Sequence, residues 1–254
     1  MASQTQALSE SSAPPASDVV QKNAKKLKFI PPPTFTDKEE ERKYKLGKLA
    51  AAFRIFAEYG FDEGVAGHLT LRDPILTDHF WVNPFGRAFS QMTVSDLLLI
   101  NPEGEIVMGG KPDRQVYNEL LISLDITTQD ACAFYNDLAV YRGFGGVVLA
   151  AEEGNNIAKA LGQNKAVILQ NHGLLTTGTS IEAAVWWFIS LESLCRIQLL
   201  ADAAAGGRGI QTIKAGEKEA EFTYRAVGSH MAGWAQAQPY FDRIHEKTGG
   251  AHLL

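Results

Sequence analysis

The sequence has few cysteines and no long uninterrupted apolar run, and each shortage excludes a class of protein. Its 254 residues include two cysteines, Cys132 and Cys195. This number is too small for a disulfide framework or a cysteine-rich metal site, so we expect a reducing, cytoplasmic location. The most apolar stretch, residues 183–205, is interrupted by Glu192 and Arg196 among other polar residues. No segment therefore supplies the roughly 20 apolar residues that a transmembrane span needs.

Basic charge is not in excess either. The formal net charge is -5 and the isoelectric point is near 5.7, which argues against a general attraction to nucleic acid or to anionic membranes. The first 18 residues lack the apolar core of a signal peptide. Four lysines between positions 22 and 28 precede a proline triplet, Pro31-Pro32-Pro33. This pattern predicts a disordered tail and a solvated linker more than a targeting or membrane-touching arm.

The segments that are present combine helical and strand patterns. The capping boxes Thr36-x-x-Glu39 and Thr179-x-x-Glu182 predict two helix starts. The first helix is expected to end at Gly60, and the second, the longest, near residue 205. Short apolar runs predict strands over residues 68–71, 80–83, 97–101, 105–108, 145–150 and 166–170, with a helix over 152–161. The pattern predicts an α/β or α+β layered fold.

We expect three regions along the chain. Residues 1–33 form a tail and linker, and residues 34–210 form the folded domain. Residues 211–254 form a C-terminal helical extension, in which residues 217–248 are amphipathic and polar and predict one or two surface helices.

His172 is the first candidate for chemistry. It follows a predicted strand and precedes Gly173, which is a place where α/β proteins position ligand and metal groups. None of the six histidines occurs in an H-x-H, H-x-x-H or H-E-x-x-H arrangement, so spacing alone proposes no metal site. From the residues alone, a ligand role and a structural role for His172 both stay open. The signatures of dinucleotide binding, P-loops and nucleophile elbows are absent from the sequence.

Two glycine-bounded turns are the second candidate. Residues 67–70 and 83–86 flank the first strands. Backbone N–H groups in such turns can hold an anion, although ordinary turn chemistry explains them equally well. Cys132 lies among Ala131, Ala133 and Phe134, and this apolar setting predicts a packed thiol rather than a nucleophile.

In combination, three segments of the chain resemble the class II aldolase/adducin family. They are GHLTLRDP at residues 67–74, FWVNPFG at 80–86 and LQNHGL at 169–174, and the apolar helix after Thr179 agrees with them. The resemblance covers about residues 38–205. It implies a three-layer αβα domain assembled as a homotetramer. It also implies zinc held by an H-x-H pair plus a third histidine, and a glutamate acting as acid and base in reversible carbon–carbon bond cleavage of a small oxygenated substrate.

The family's functional residues transfer only where this sequence matches. His172 matches the third zinc ligand, and Glu119 lies close to the position of the acid/base glutamate, although the helix that would fix its register is missing. His68 stands where catalytic members usually have asparagine, and Pro84-Phe85 replaces a pair of small hydroxyl residues. The residues that match the substrate-holding turns are His68, Thr70, Asn83 and Gly86.

The H-x-H pair has no counterpart in this chain. Between Tyr117 and Thr127 the sequence supplies nine residues, whereas the family has a helix–strand–helix unit that needs about thirty. The chain is therefore either a degenerate, metal-free member or an incomplete sequence. We favour the second explanation, because loss of a central strand leaves two unpaired sheet edges. A single histidine cannot form a three-ligand zinc site, so we expect zinc to bind this chain weakly or not at all.

Three functions follow from this interpretation. The first is a metal-dependent aldol-type lyase, whose site a second subunit or a missing segment would complete. The second is a non-catalytic scaffold of the adducin kind, and the third is an accessory enzyme of small-molecule metabolism. The aromatic run Trp186-Trp187-Phe188 points in several directions on a helix and cannot all face one core, which predicts a homo-oligomer, in particular a tetramer.

Overall fold

The computed structural model describes residues 30–64, 67–110, 126–143 and 151–254. Glu119 and the strand predicted over 145–150 lie outside these ranges. The helices are α1 (Lys38–Glu58), α2 (Ala151–Leu161), α3 (Ile181–Gly206), α4 (Glu217–Val227) and α5 (His230–Thr248). The strands are β1 (Leu71–Arg72), β2 (Phe80–Val82), β3 (Leu98–Ile100), β4 (Ile106–Gly109), β5 (Leu138–Tyr141), β6 (Ala166–Leu169) and β7 (Gly173–Thr176).

The helix ends follow the local sequence, but both predicted N-caps are one residue too early. Asp37 caps α1 by accepting a hydrogen bond from the Glu39 N–H at 2.8 Å. Ser180 caps α3 by accepting one from the Ala183 N–H at 3.2 Å. Both sites offer two adjacent side chains that can cap, so composition does not fix the register. The predicted end of α1 is confirmed, since Gly60 follows Tyr59 with a φ of 74°.

The strands form two sheets in the described residues. The first is antiparallel in the order β1-β2-β3-β4, and it contains the predicted hairpin between β3 and β4. The strand predicted from residue 68 begins only at Leu71, so residues 68–70 are a turn leading into β1. In the second sheet β5 pairs in parallel with β6, and β6 pairs antiparallel with β7. The parallel pair is possible because α2 supplies the crossover that parallel strands require.

Each sheet ends in a strand with a free edge among the described residues. β4 is bonded only to β3, and β5 only to β6. The β4 side chains Ile106, Val107 and Met108 are 54%, 47% and 50% exposed. A strand with an open edge and half-exposed apolar side chains is a surface that another strand can cover.

Helix α3 joins the two main cores. The first core contains residues of α1, the first sheet, α3 and α5, and the second contains residues of the second sheet, α3 and α5. Trp187 is fully buried in the second core, Phe188 packs against the first and Trp186 packs against both. The three aromatic residues are thus accommodated within one chain, and the oligomer argument drawn from them is wrong. The helix has neighbours on more than one side, which sequence periodicity does not reveal.

The C-terminal helices are part of this core. Trp234, Phe241 and Ile244 of α5 are buried, so this amphipathic helix packs one face into the core. Helix α3 is long and apolar enough to cross a membrane by length and composition alone. Core helices of globular domains pass the same test, and residues of α3 from Ile181 to Leu194 are packed in the cores described above.

Two carboxylates, the buried Asp73 and the partly buried Asp137, fix the layers to one another. Arg42 of α1 donates two hydrogen bonds to Asp73, at 2.8 and 2.9 Å, and the Trp81 indole N–H donates a third at 2.6 Å. Asp137 accepts hydrogen bonds from the Lys165 ammonium at 2.8 Å and from the Tyr224 hydroxyl at 2.6 Å. The first carboxylate holds α1 to the first sheet, and the second holds α4 to the second sheet.

Candidate functional site

His172 lies in the tight turn between β6 and β7. Its N–H donates to the Leu169 carbonyl at 3.1 Å, and Asn171 adopts the left-handed backbone conformation with a φ of 56°. The Gln170 N–H donates to the Tyr141 carbonyl at 2.9 Å, which ties the turn to the end of β5. The His172 side chain is therefore held at the carboxyl ends of two parallel strands. It is 6% exposed.

The donor set around His172 does not fit a zinc ion. In the ranges that the structure describes, no group of three or more histidine, cysteine, aspartate or glutamate residues is placed to hold a metal. Glu119, the candidate acid and base, lies outside those ranges. A tetrahedral zinc site needs at least three protein ligands, and the described residues supply one of those expected.

Asn83 and Gly86 lie in one small cavity next to the first sheet. The cavity has a volume of about 60 Å³, and it is also lined by Asp62, Arg87 and Phe89. Since a water molecule takes up about 30 Å³ in the liquid, the cavity has room for one small polar group. Two buried atoms in its lining residues, the Asn83 Oδ1 acceptor and the Arg87 Nε donor, have no hydrogen-bond partner within the described structure. The lining residues thus carry one acceptor and one donor without a described partner, a pair that a hydroxyl group could satisfy if the side chains turned toward it.

The other turn approaches the same cavity without forming its wall. Gly67 has a φ of 85°, and a side chain there would come within 3.6 Å of Phe89 Cζ, so the two turns meet around Phe89. His68 and Thr70 are exposed and precede β1. Neither is among the described residues that line the cavity. The structure therefore brings together two of the four predicted substrate-binding residues.

Arg87 and Asp62 were missed in the sequence. Arg87 directly follows the predicted turn, and its guanidinium lies 3.4 Å from the Asp96 carboxylate. The position of Arg87 next to the predicted turn is the sequence feature that could have indicated it, but a charged residue next to a turn is usually solvated. Neither thiol lines this cavity; burial raises the pKa of Cys132 and raises that of Cys195 to about 11, which agrees with the predicted packed thiol at Cys132.

Comparison with known proteins identifies the family. The model of the "Class II Aldolase and Adducin N-terminal domain" matches residues 47–126 and 115–199. The chain belongs to the class II aldolase/adducin family. An L-fuculose 1-phosphate aldolase from Glaciozyma antarctica PI12 has 46% sequence identity, and the match covers 87% of this chain and 96% of that one with a TM-score of 0.77. The predicted family and the α/β class II aldolase-like fold are both confirmed.

Two curated relatives show how widely the family's members differ. The decarboxylase NovR of Streptomyces niveus is 36% identical, over 86% of this chain and 88% of the relative. Mouse alpha-adducin is 29% identical, and the match covers 63% of this chain and 26% of the relative. The aldolase/adducin chain is thus similar both to enzymes and to adducin.

The alignments also measure what this family member lacks. The alignment with NovR is 248 positions long, but it includes only 86% of this 254-residue chain, which is about 218 residues. About 30 positions of the alignment therefore have no counterpart in this chain. For alpha-adducin, 192 aligned positions contain 63% of the chain, about 160 residues, which leaves about 32. The two parts of the family match overlap at residues 115–126, which is where the helix–strand–helix unit has no counterpart in this sequence.

Proposed function

We propose that this protein is a carbon–carbon lyase of the family, acting on a small oxygenated substrate in small-molecule metabolism, and that the 254-residue chain needs about thirty further residues to be active. The observation that carries this proposal is that about 30 positions of the NovR alignment have no counterpart in this chain. The family match supports it, because it falls into two parts that meet at residues 115–126. The shortfall equals the length expected for the unit that holds the H-x-H pair.

The substrate class follows from the cavity beside Asn83. Two residues that line it carry an acceptor and a donor without a described partner, which suits a hydroxyl group. The 60 Å³ volume suits one end of a small molecule. Two proteins similar to this chain, a decarboxylase and an aldolase, carry names for reactions in which a carbon–carbon bond is broken. A small oxygenated acid or sugar derivative is consistent with all three observations.

The residues that the structure describes do not complete a metal site for this activity. His172 is the ligand that this chain retains, and the described residues complete no metal site around it. No catalytic step is therefore assigned to the 254-residue form. Its contribution is to hold the substrate through the Asn83 cavity and to keep His172 at the strand ends. We further propose that the protein is cytoplasmic and that its active form is a homotetramer.

The test compares the 254-residue chain with one that carries the corresponding segment of the Glaciozyma aldolase between Glu119 and Asp125. We measure zinc content after dialysis and cleavage of L-fuculose 1-phosphate for both chains. A second assay offers 4-hydroxy-3-prenylphenylpyruvate with oxygen, because a Streptomyces roseochromogenus relative that is 36% identical over 87% of this chain is named an oxygenase of that compound. We expect zinc and activity only in the lengthened chain, and both should be lost on His172→Ala. Near-stoichiometric zinc in the 254-residue chain, lost on the same substitution, would overturn the proposal.

A non-catalytic scaffold is the second candidate. It is favoured by the likeness to alpha-adducin and by the incomplete metal donor set among the described residues. If the lengthened chain folds well but neither retains zinc nor cleaves either substrate, this second function replaces the first.

A further inference from the structure

A second, larger cavity lies between α1, α5 and the C-terminal residues, away from His172 and from the Asn83 turn. Its volume is about 480 Å³, which falls within the roughly 300–1,000 Å³ that is typical of small-molecule sites. Ala51, Phe241 and Leu253 supply apolar walls, and Lys48 and His252 supply polar groups. The site residues discussed above do not line it.

The Lys48 ammonium lacks a strong partner. Its side chain is 23% exposed, and its nearest carboxylate oxygen, on Glu182, is 3.7 Å away. This separation is too long for a hydrogen bond. Its other described contacts are the ring faces of Tyr44 and Phe241, at 5.4 and 4.9 Å from the ring centres. An ammonium group has three donors, so this cation retains unused hydrogen-bonding capacity next to an open cavity.

The inner end of the cavity holds several polar groups. His252 is buried, and its Nδ1 lies 3.0 Å from the Thr248 hydroxyl. The buried Glu182 carboxylate offsets part of the charge of Lys48, whereas the acidic residues that line the cavity, Glu40 and Asp242, are exposed, where water screens them. An anionic group at this end would therefore be held by the unused hydrogen-bond donors of Lys48 rather than by a net positive field.

We propose that this cavity binds a small organic carboxylate, with its anionic group on the Lys48 ammonium and its apolar body against Phe241, Ala51 and Leu253. An apolar wall with one partly buried cation that makes no hydrogen bond to a carboxylate has the composition of a site for an amphiphilic acid. The site is independent of the proposed lyase function, because it uses none of the same residues.

Benzoate is the probe, and isothermal titration calorimetry of the full 254-residue protein is the measurement. Benzamide serves as a neutral probe of similar shape. We expect benzoate to bind at least about tenfold more tightly than benzamide, since one charge–charge contact in a partly buried site readily supplies that ratio. Equal affinities for the two probes, or no benzoate binding up to about 10 mM, would refute the proposal.

The variants separate the ammonium from general effects of charge. Lys48→Met should weaken benzoate binding at least about tenfold, and Lys48→Arg should restore most of it. Lys45→Met is the matched control, because Lys45 lies on the same helix and pairs with Glu41 at 2.6 Å. It should bind benzoate as the unmodified chain does. Methionine packs readily among aromatic rings, and thermal melting checks that each variant is folded. Unchanged binding by a folded Lys48→Met variant would also contradict the proposal.

Discussion

Inserting the missing segment should stabilise the protein by covering the open edge of β4. Ile106, Val107 and Met108 are each about half exposed. Full burial of such a side chain contributes roughly 1.5–3 kcal/mol, so covering the exposed halves of all three contributes about 2–4 kcal/mol. In a domain of 150–250 residues, 1 kcal/mol shifts the melting temperature by about 2–4 °C. The expected rise is therefore about 4–16 °C.

Differential scanning calorimetry of three chains measures this effect. They are the 254-residue chain, the chain carrying the Glaciozyma segment between Glu119 and Asp125, and a chain carrying a Gly/Ser segment of equal length at the same place. The Gly/Ser insert controls for loop length, which alone changes stability by well under about 1 kcal/mol per doubling. Only the Glaciozyma segment should raise the melting temperature. If all three chains melt sharply at the same temperature, the short chain is a complete fold, and the degenerate-member explanation becomes the better one.

Three further predictions test the contacts of the described structure. Asp137→Asn leaves the buried Lys165 ammonium without its counter-ion, so urea unfolding should show a loss of about 3–5 kcal/mol; a loss below about 1 kcal/mol would mean that the pair is effectively solvated. Burial alone would raise the pKa of Asp73, but the hydrogen bonds led by that from Arg42 outweigh it and hold the pKa well below its usual range. The stabilisation from Asp73 is therefore present above its unfolded pKa of about 3.9 and is lost as the pH falls below that value. Asp73→Asn should flatten this part of the curve of unfolding free energy against pH. An unchanged curve would show that Asp73 is not the group responsible. If the proposed homotetramer uses the exposed end of α3, where Leu200 is 67% exposed, Leu200→Lys should weaken self-association in sedimentation, and unchanged association would contradict this placement of the contact.

Much of this architecture could be predicted from local sequence. The β3–β4 hairpin and the ends of α1 and α3 depend on turn and cap residues, whose physical effect extends over only a few positions. Asn83 and Gly86 were found in the same way, because the turn that they share is a local motif. His172 was likewise placed correctly at a strand end.

The remaining features depend on contacts between distant parts of the chain. The amphipathic pattern of α5 indicates a covered face but not its partners, since the residues that pack on Phe241 and Ile244 come from α1 and α3. The environment of Trp186 was misjudged for the same reason. Arg87 became a site candidate only when its unpartnered Nε was found beside Asn83. Such pairings require the fold, because residue spacing gives no information about what lies opposite.

The composition of the first core has a consequence for how the protein is synthesised. That core begins at Leu46 and is completed by Ala237, Phe241 and Ile244 of α5. While the ribosome still holds α5, the emerging chain exposes the apolar faces of α1 and α3 without this partner. Compact folding of this core must therefore wait until α5 has left the ribosome, and a nascent chain that stalls before α5 becomes a substrate for chaperones and proteases.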